Sequence, residues 1–344
     1  MHLLARQYIF AEESMRIKQN ILYYLKKDNY VSGKFLAEKL GISRVAVWKQ
    51  IQKLKNLHYE IISHKNLGYC IISQPDLLLP DEIHKGLNTK YIGHKIYYYQ
   101  ELESSNLTAK EKARSKRDVV PEGTVIITEK QKGGRGRLGR KWFSPIGGIW
   151  LSVILYPSLS PEYIPCITLM TSVAIVRAIK ELTGIQGLIK WPNDVMIHDK
   201  KVCGILTEMS AEMDLINWLV VGIGINVNID RCEFAKEIKD ISISLKEMTK
   251  KRVSRIQLVQ IFLREFEKYY NMLIQKESTI ILNEWKNYSH TIGKRIDVKV
   301  GDRLISGQAI DINDRGALMI KKDDGEVLEI ISGTLLKYNK EPNI

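Results

Sequence analysis

Residues 133–142 read Gly-Gly-Arg-Gly-Arg-Leu-Gly-Arg-Lys-Trp. Four glycines in ten positions carry too little helix or strand preference for either element. The segment is a loop, and its flanks limit the fold. Val125 to Thr128 before it and Ile149 to Tyr156 after it are β-type runs with no helical pattern between them. Gly134-x-Gly136-x-x-Gly139 satisfies the dinucleotide pattern G-x-G-x-x-G, but that fingerprint must open a helix. Here Trp142-Phe143-Ser144-Pro145 and Gly147-Gly148 lead into a strand instead, and no Gly-Lys-Ser/Thr follows to make a Walker loop.

The surrounding chain keeps the same rhythm. A helix is predicted over Ile164 to Leu182, a strand over Leu188 to Trp191, a hairpin over Val195 to Leu206, a strand over Leu219 to Val227 and a helix over Ile256 to Leu273. Hairpin connections imply a mixed or antiparallel sheet with helices on one side, an α+β layer. From Gly293 onward short strands alternate with Gly301-Asp302, Asn313-Asp314-Arg315-Gly316 and Asp323-Asp324-Gly325, which predicts a small all-β barrel.

The first 75 residues read differently. Ile17, Ile21, Leu22 and Leu25 stand at near-helical spacing, and Lys34 to Leu40 is a short helix stopped by Gly41. Ser43 then caps a third helix whose Val47, Ile51 and Leu54 face inward. Tyr59 to Ser63 and Tyr69 to Ile72 form a hairpin, and three helices with a hairpin make a winged helix-turn-helix. Arg44, Val45, Trp48, Lys49, Gln52 and Lys53 lie off the apolar stripe and are the candidates for base and phosphate contacts. After Pro75 and Pro80 a short helix is expected from Asp81 to Leu87, with the domain boundary near residue 78.

Charge agrees with an anionic partner. The chain carries +13, and residues 1–75 alone hold 12 basic and 5 acidic residues. The four cysteines, at 70, 166, 203 and 232, have no metal-ligand or C-x-x-C spacing, so a reducing, cytoplasmic compartment is expected. The most apolar run, Trp218 to Val227, is too short to span a bilayer, and Met1 to Phe10 lacks the features of a secretory signal. Residues 1–14 read as a disordered lead-in, or as an over-long start if translation begins at Met15.

Chemistry concentrates in the glycine-arginine loop. From Lys132 to Lys141 there are five cations and no acid. Turned backbone N–H groups and fork-shaped guanidinium donors suit phosphate and carboxylate oxygens. Three other segments carry polar groups at element ends: Glu103-Ser104-Ser105-Asn106 at a helix start, Lys190-Trp191-Pro192-Asn193-Asp194 after a strand, and Gly222-Ile223-Gly224-Ile225-Asn226. Each has a plainer reading, as a helix cap, a turn or a tight strand contact.

Together and in this order, these segments resemble the biotin protein ligase family, in the bifunctional form that carries an N-terminal DNA-binding domain. The resemblance runs from about residue 16 to 340. It implies an α+β multidomain chain: a winged helix-turn-helix over 1–78, a mixed-sheet, class II synthetase-like ligase domain over 79–290 and an SH3-like β-barrel over 291–344. By motif, Ser104, Ser105 and Asn106 meet the biotin ring, with Ser105 standing where the family more often has Thr. Gln131, Arg135, Gly136 and Arg137 hold the ureido ring and carboxylate from the loop side, and Lys190 meets the carboxylate and phosphoryl group. Arg140, Trp142, Asn193 and Asn226 fall to ATP and its adenylate; for Trp142, core packing is an equal reading. Leu138 stands where a further basic residue can occur and is a poor candidate for chemistry.

The resemblance also implies the reaction: biotin and ATP, with Mg²⁺, form biotinyl-5′-AMP, and a lysine of a biotin carboxyl carrier protein takes the biotin. Arg135, Arg137 and Lys190 are the expected catalytic residues, with no metal ligand from the chain and no covalent nucleophile. As corepressor, biotinyl-AMP is expected to favour a homodimer that binds operator DNA, with no membrane partner. A lipoate ligase, and a sensor that binds without turnover, are the competing readings.

Overall fold

The computed structural model describes residues 17, 20–25, 29–56, 59–73, 76–115, 119–212 and 215–339. The expected lead-in over 1–14 lies outside them. Two compact units divide between Leu77 and Leu78.

In the first unit, helical residues 20–25 (α1) bury Ile21, Leu22 and Leu25. Ser32 caps α2 (Gly33–Leu40) by accepting the Phe35 N–H, and the helix ends where Gly41 turns left-handed at φ 64°. Ser43 accepts the Ala46 N–H at 3.1 Å and opens α3 (Arg44–Asn56), whose Val47, Ile51 and Leu54 are fully buried. The hairpin is β1 (Glu60–His64) with β2 (Gly68–Ser73). Val31 exchanges two backbone hydrogen bonds with Tyr69, which brings its carbonyl so close to Gly68 that a Cβ there would overlap it.

The second unit is built on a seven-stranded sheet: β3 (Ile96–Leu102), β4 (Thr124–Gln131), β5 (Ile149–Leu155), β6 (Leu188–Lys190), β7 (Asp194–Ile197), β8 (Lys200–Glu212) and β9 (Leu215–Ile225). Its order is β3-β4-β5-β9-β8-β7-β6, parallel at β3/β4 and antiparallel elsewhere. Among the described residues six α-helices accompany it: α4 (Pro80–His84), α5 (Ser105–Ala113), α6 (Ile164–Thr183), α7 (Leu245–Thr249), α8 (Arg255–Ile274) and α9 (Ser278–Tyr288).

The helices are not confined to one side, which corrects the expectation from the connections. Val125 and Ile127 of β4 pack with α6 and α8, whereas Ile126 between them packs with Ala109 and Ala113 of α5. Neighbouring strand residues point to opposite faces, so α5 covers the other one. Helix α6 is long and apolar enough to cross a membrane, yet twelve of its residues are buried in this core.

The C-terminal strands β10 (Arg295–Val300), β11 (Arg303–Ile312), β12 (Leu318–Lys321), β13 (Val327–Ile330) and β14 (Thr334–Asn339) form one antiparallel sheet, β13-β12-β11-β10-β14. Its inward residues Ile296, Val298, Ala309 and Leu318 belong to the same continuous core as the large sheet. That shared core places the turn at Gly333 beside the ends of β6 and β7.

Candidate active site

At the start of α5, Ser104 is an extended N-cap, and Ser104, Ser105 and Asn106 are all buried. Gln131, the last residue of β4, accepts the Ser105 N–H at 2.8 Å and donates to Ser144 Oγ at 2.8 Å. Asn106 donates to the Leu206 carbonyl and to Glu208, and its oxygen accepts from Ser152 at 2.6 Å. One end of the site is therefore a web of small polar groups held between two strands and a helix start.

The glycine-arginine loop leaves this end and folds on itself. Gly134 O accepts from Trp142 N, and Gly136 N donates to Arg140 O at 2.7 Å. No α-helix follows, as the flanking strands require. A single 3-10 turn spans Arg137–Gly139, with Leu138 exposed in the left-handed region at φ 57°. Arg135 and Arg140 are exposed, while Arg137 is half-buried. The Arg137 guanidinium donates to Asn193 Oδ1 at 3.1 Å and to Gly333 O at 3.2 Å. Burial holds it below the usual arginine value; Asp194 opposes that shift and Arg140 adds to it.

Lys190 ends β6 and Asp194 begins β7, with a cis peptide between Trp191 and Pro192. Trp191 is buried, and Asn193 Nδ2 donates to Ile205 O. Burial pulls the Lys190 ammonium below the usual lysine value, Asp194 opposes this, and Lys201 reinforces it. Lys201 itself pairs with Asp194 at 2.6 Å and sits 4.9 Å above the Trp142 ring. That indole rests on Gly204 and Gly224, which face each other across β8 and β9, and meets Trp150 edge-on. Asn226 is buried at the end of β9, its N–H bonded to Val202 O.

These groups enclose a cavity of about 300 Å³. All the expected ligand residues line it: Ser104, Ser105, Asn106, Gln131, Arg135, Gly136, Arg137, Arg140, Trp142, Lys190, Asn193 and Asn226. Its walls also contain residues that sequence reasoning missed: Lys201, Phe234 to one side, and Gly333 with Leu335 from the C-terminal sheet. Neither Lys201, which sheet register brings to Trp142, nor the reach of the C-terminal sheet has a local signal in the sequence. One end is polar and uncharged, and the other is cationic. A ligand with a neutral polar head and an anionic tail fits this gradient.

Three family models match: an HTH domain over residues 17–70, the Biotin/lipoate A/B protein ligase family over 100–226, and the Biotin protein ligase C terminal domain over 291–337. The "Bifunctional ligase/repressor BirA" of Bacillus subtilis is 38% identical over 299 residues, spanning 87% of this chain and 91% of that protein. The chain belongs to the bifunctional biotin protein ligase/repressor family. The Escherichia coli member is 27% identical over 88% of this chain and 92% of its own length. Among solved structures, the biotin protein ligase of Aquifex aeolicus in complex with biotin and ATP superposes with a TM-score of 0.61 at 29% identity, covering 71% of this chain and 98% of that one.

As in a bifunctional family member, the first unit presents a candidate DNA interface. Arg44, Val45, Trp48, Lys49 and Lys53 are all exposed on α3, and Gln52 is partly exposed. Val45 and Trp48 are 63% and 52% exposed on a helix whose buried stripe is complete without them. Large apolar groups left in water on an otherwise basic helix face suit a groove that covers them.

Proposed function

We propose that this chain is an ATP-dependent biotin protein ligase, of the biotin-[acetyl-CoA-carboxylase] ligase type, and the repressor of biotin genes. The ligase forms biotinyl-5′-AMP and transfers biotin to a lysine of a biotin carboxyl carrier protein. The observation that carries this reading is the polarity of the cavity, with Ser105, Asn106 and Gln131 at one end and Arg137, Lys190 and Lys201 at the other.

The chemistry needs that polarity. A carboxylate attacks the α-phosphate of ATP and pyrophosphate leaves, so two anions must meet. Their repulsion is offset by fixed cations in a water-poor site. We assign Lys190 and Arg137 to the biotin carboxylate and the developing phosphorane charge, and Arg135 to the loop side. Arg140, Trp142, Asn193 and Asn226 face the nucleotide. Among the described residues no group of three His, Cys, Asp or Glu stands together. Mg²⁺ would enter with the nucleotide substrate and lower the negative charge that its phosphates present to the biotin carboxylate. Leu138, an exposed apolar side chain on the loop, is a poor candidate for chemistry.

Regulation follows from the fusion of the two activities. Biotinyl-AMP acts as corepressor by binding the dimerising state more tightly, and the homodimer binds a two-fold operator through α3 and the wing. The chain works in the cytoplasm without a membrane partner, in three domains over 1–78, 79–290 and 291–344.

The test is intact-mass analysis of a biotin acceptor domain incubated with this protein, ATP and Mg²⁺, with biotin in one tube and lipoate in another. One biotinyl mass increase that Lys190→Ala abolishes supports the ligase reading. An increase with lipoate alone, or none with biotin, overturns it. Operator affinity unchanged by biotin plus ATP would overturn the switch.

A further inference from the structure

Asn106 lines the cavity, but its amide is engaged from behind by a carboxylate that does not line it. Glu208 Oε2 accepts from Asn106 Nδ2 at 2.9 Å, and Glu208 Oε1 takes the Lys110 ammonium at 2.6 Å. The second Nδ2 hydrogen goes to the Leu206 carbonyl at 3.2 Å. Both partners are acceptors only, so the amide has one allowed orientation: nitrogen toward β8, oxygen toward Ser152. A flipped amide would aim its oxygen at a carboxylate and a carbonyl together. With both hydrogens used and one oxygen lone pair taken by Ser152, Asn106 offers the cavity a single acceptor and no donor.

We propose that Glu208 is a positioning residue that sets the specificity of the polar, uncharged end of the site, by fixing Asn106 as an acceptor for a ligand N–H. This rests on the ligase reading above. Biotin's ureido group supplies such an N–H; lipoate's dithiolane supplies none.

Lys110 gives the proposal an asymmetric consequence. It lies four residues after Asn106 on α5, on the same helix face. Without Glu208, that ammonium is left near the amide as a donor with no carboxylate, and it favours the flipped orientation in which the Asn106 oxygen turns toward it. The Leu206 carbonyl alone opposes the flip. Ser152 is indifferent, because a hydroxyl both donates and accepts. Removing Lys110 as well should therefore restore much of what removing Glu208 destroys.

The experiment is biotin-dependent ATP–pyrophosphate exchange by the full chain and by E208M, E208Q, K110M and E208M/K110M, each checked for an unchanged melting transition. We expect E208M to raise the KM for biotin about tenfold, the size of one lost hydrogen bond, with the KM for ATP unchanged. E208Q keeps the side-chain shape but makes Lys110 and Asn106 compete for one oxygen, so it should shift KM the same way and less. E208M should also lose discrimination between biotin and an analogue methylated at a ureido nitrogen, and E208M/K110M should recover most of both losses. The inference is overturned if E208M binds biotin as the parent does, if the KM values for ATP and biotin rise together, or if the double variant is no better than the single. A parent chain with no biotin-dependent exchange would overturn the ligase reading and this inference with it.

Discussion

Gly224 stands where the indole of Trp142 needs bare backbone: a Cβ at 224 would press against Trp142 Nε1 inside van der Waals contact. Its cross-strand partner Gly204 does the same for the far edge of that ring. Gly224→Ala is therefore expected to displace the ring, raising the KM for ATP about tenfold and lowering stability by roughly 1–3 kcal/mol, as overpacking does. Steady-state kinetics and a thermal melt check both. Gly204→Ala should act in the same direction and less, because part of what its Cβ meets is the flexible Lys201 side chain.

Arg137 spans two partners that come from different parts of the chain, Asn193 and Gly333. A lysine has the charge but not the fork. Arg137→Lys should lower the adenylation rate by roughly 10²–10³, the scale of one preorganised charge-stabilising donor. Asn193→Ala, which removes one partner, should cost less. Single-turnover adenylate formation measures both.

Lys190 should give the adenylation rate an alkaline limb. Burial lowers its pKa, so on raising the pH it loses its proton earlier than an ordinary lysine, and activity should fall below the usual lysine range. Lys201 strengthens the shift and holds the carboxylate that opposes it. Lys201→Met should thus move the limb to higher pH and Asp194→Asn to lower pH. A pH profile of kcat/KM for biotin decides this; a limb that stays fixed in both variants would remove Lys190 as its origin.

On α3, Lys49→Ala should weaken operator binding across sequences and reduce the salt slope by about 1, as for a phosphate contact. Trp48→Ala should weaken binding without moving the melting transition, because the indole is 52% exposed and outside the buried stripe. Operator titrations at several salt concentrations separate the two effects.

Much of this was legible where the signal is local. Ser43 before Val47, Ile51 and Leu54 specified a capped helix and its inward face, and glycines between β-runs specified a loop. The two-sided burial of the large sheet ran against the expectation of helices on one side, although Val125-Ile126-Ile127 has no polar alternation, a mark of strands covered on both faces. The weak point was α5, whose inward residues are the small Ala109 and Ala113 and give no apolar stripe. Glu208 and Lys201 were not legible for a different reason. Their roles depend on side chains about 100 and 60 residues away, Asn106 and Trp142, which only sheet register brings together.

The Arg137 contact with Gly333 joins the loop to a residue 196 positions later in the chain. The helix-turn-helix unit is a compact unit that ends at Leu77. The adenylating cavity is walled in part by Leu335. On the ribosome, the first unit emerges well before the strand that walls the cavity, so a chain released early would carry the exposed α3 face without a finished adenylating site.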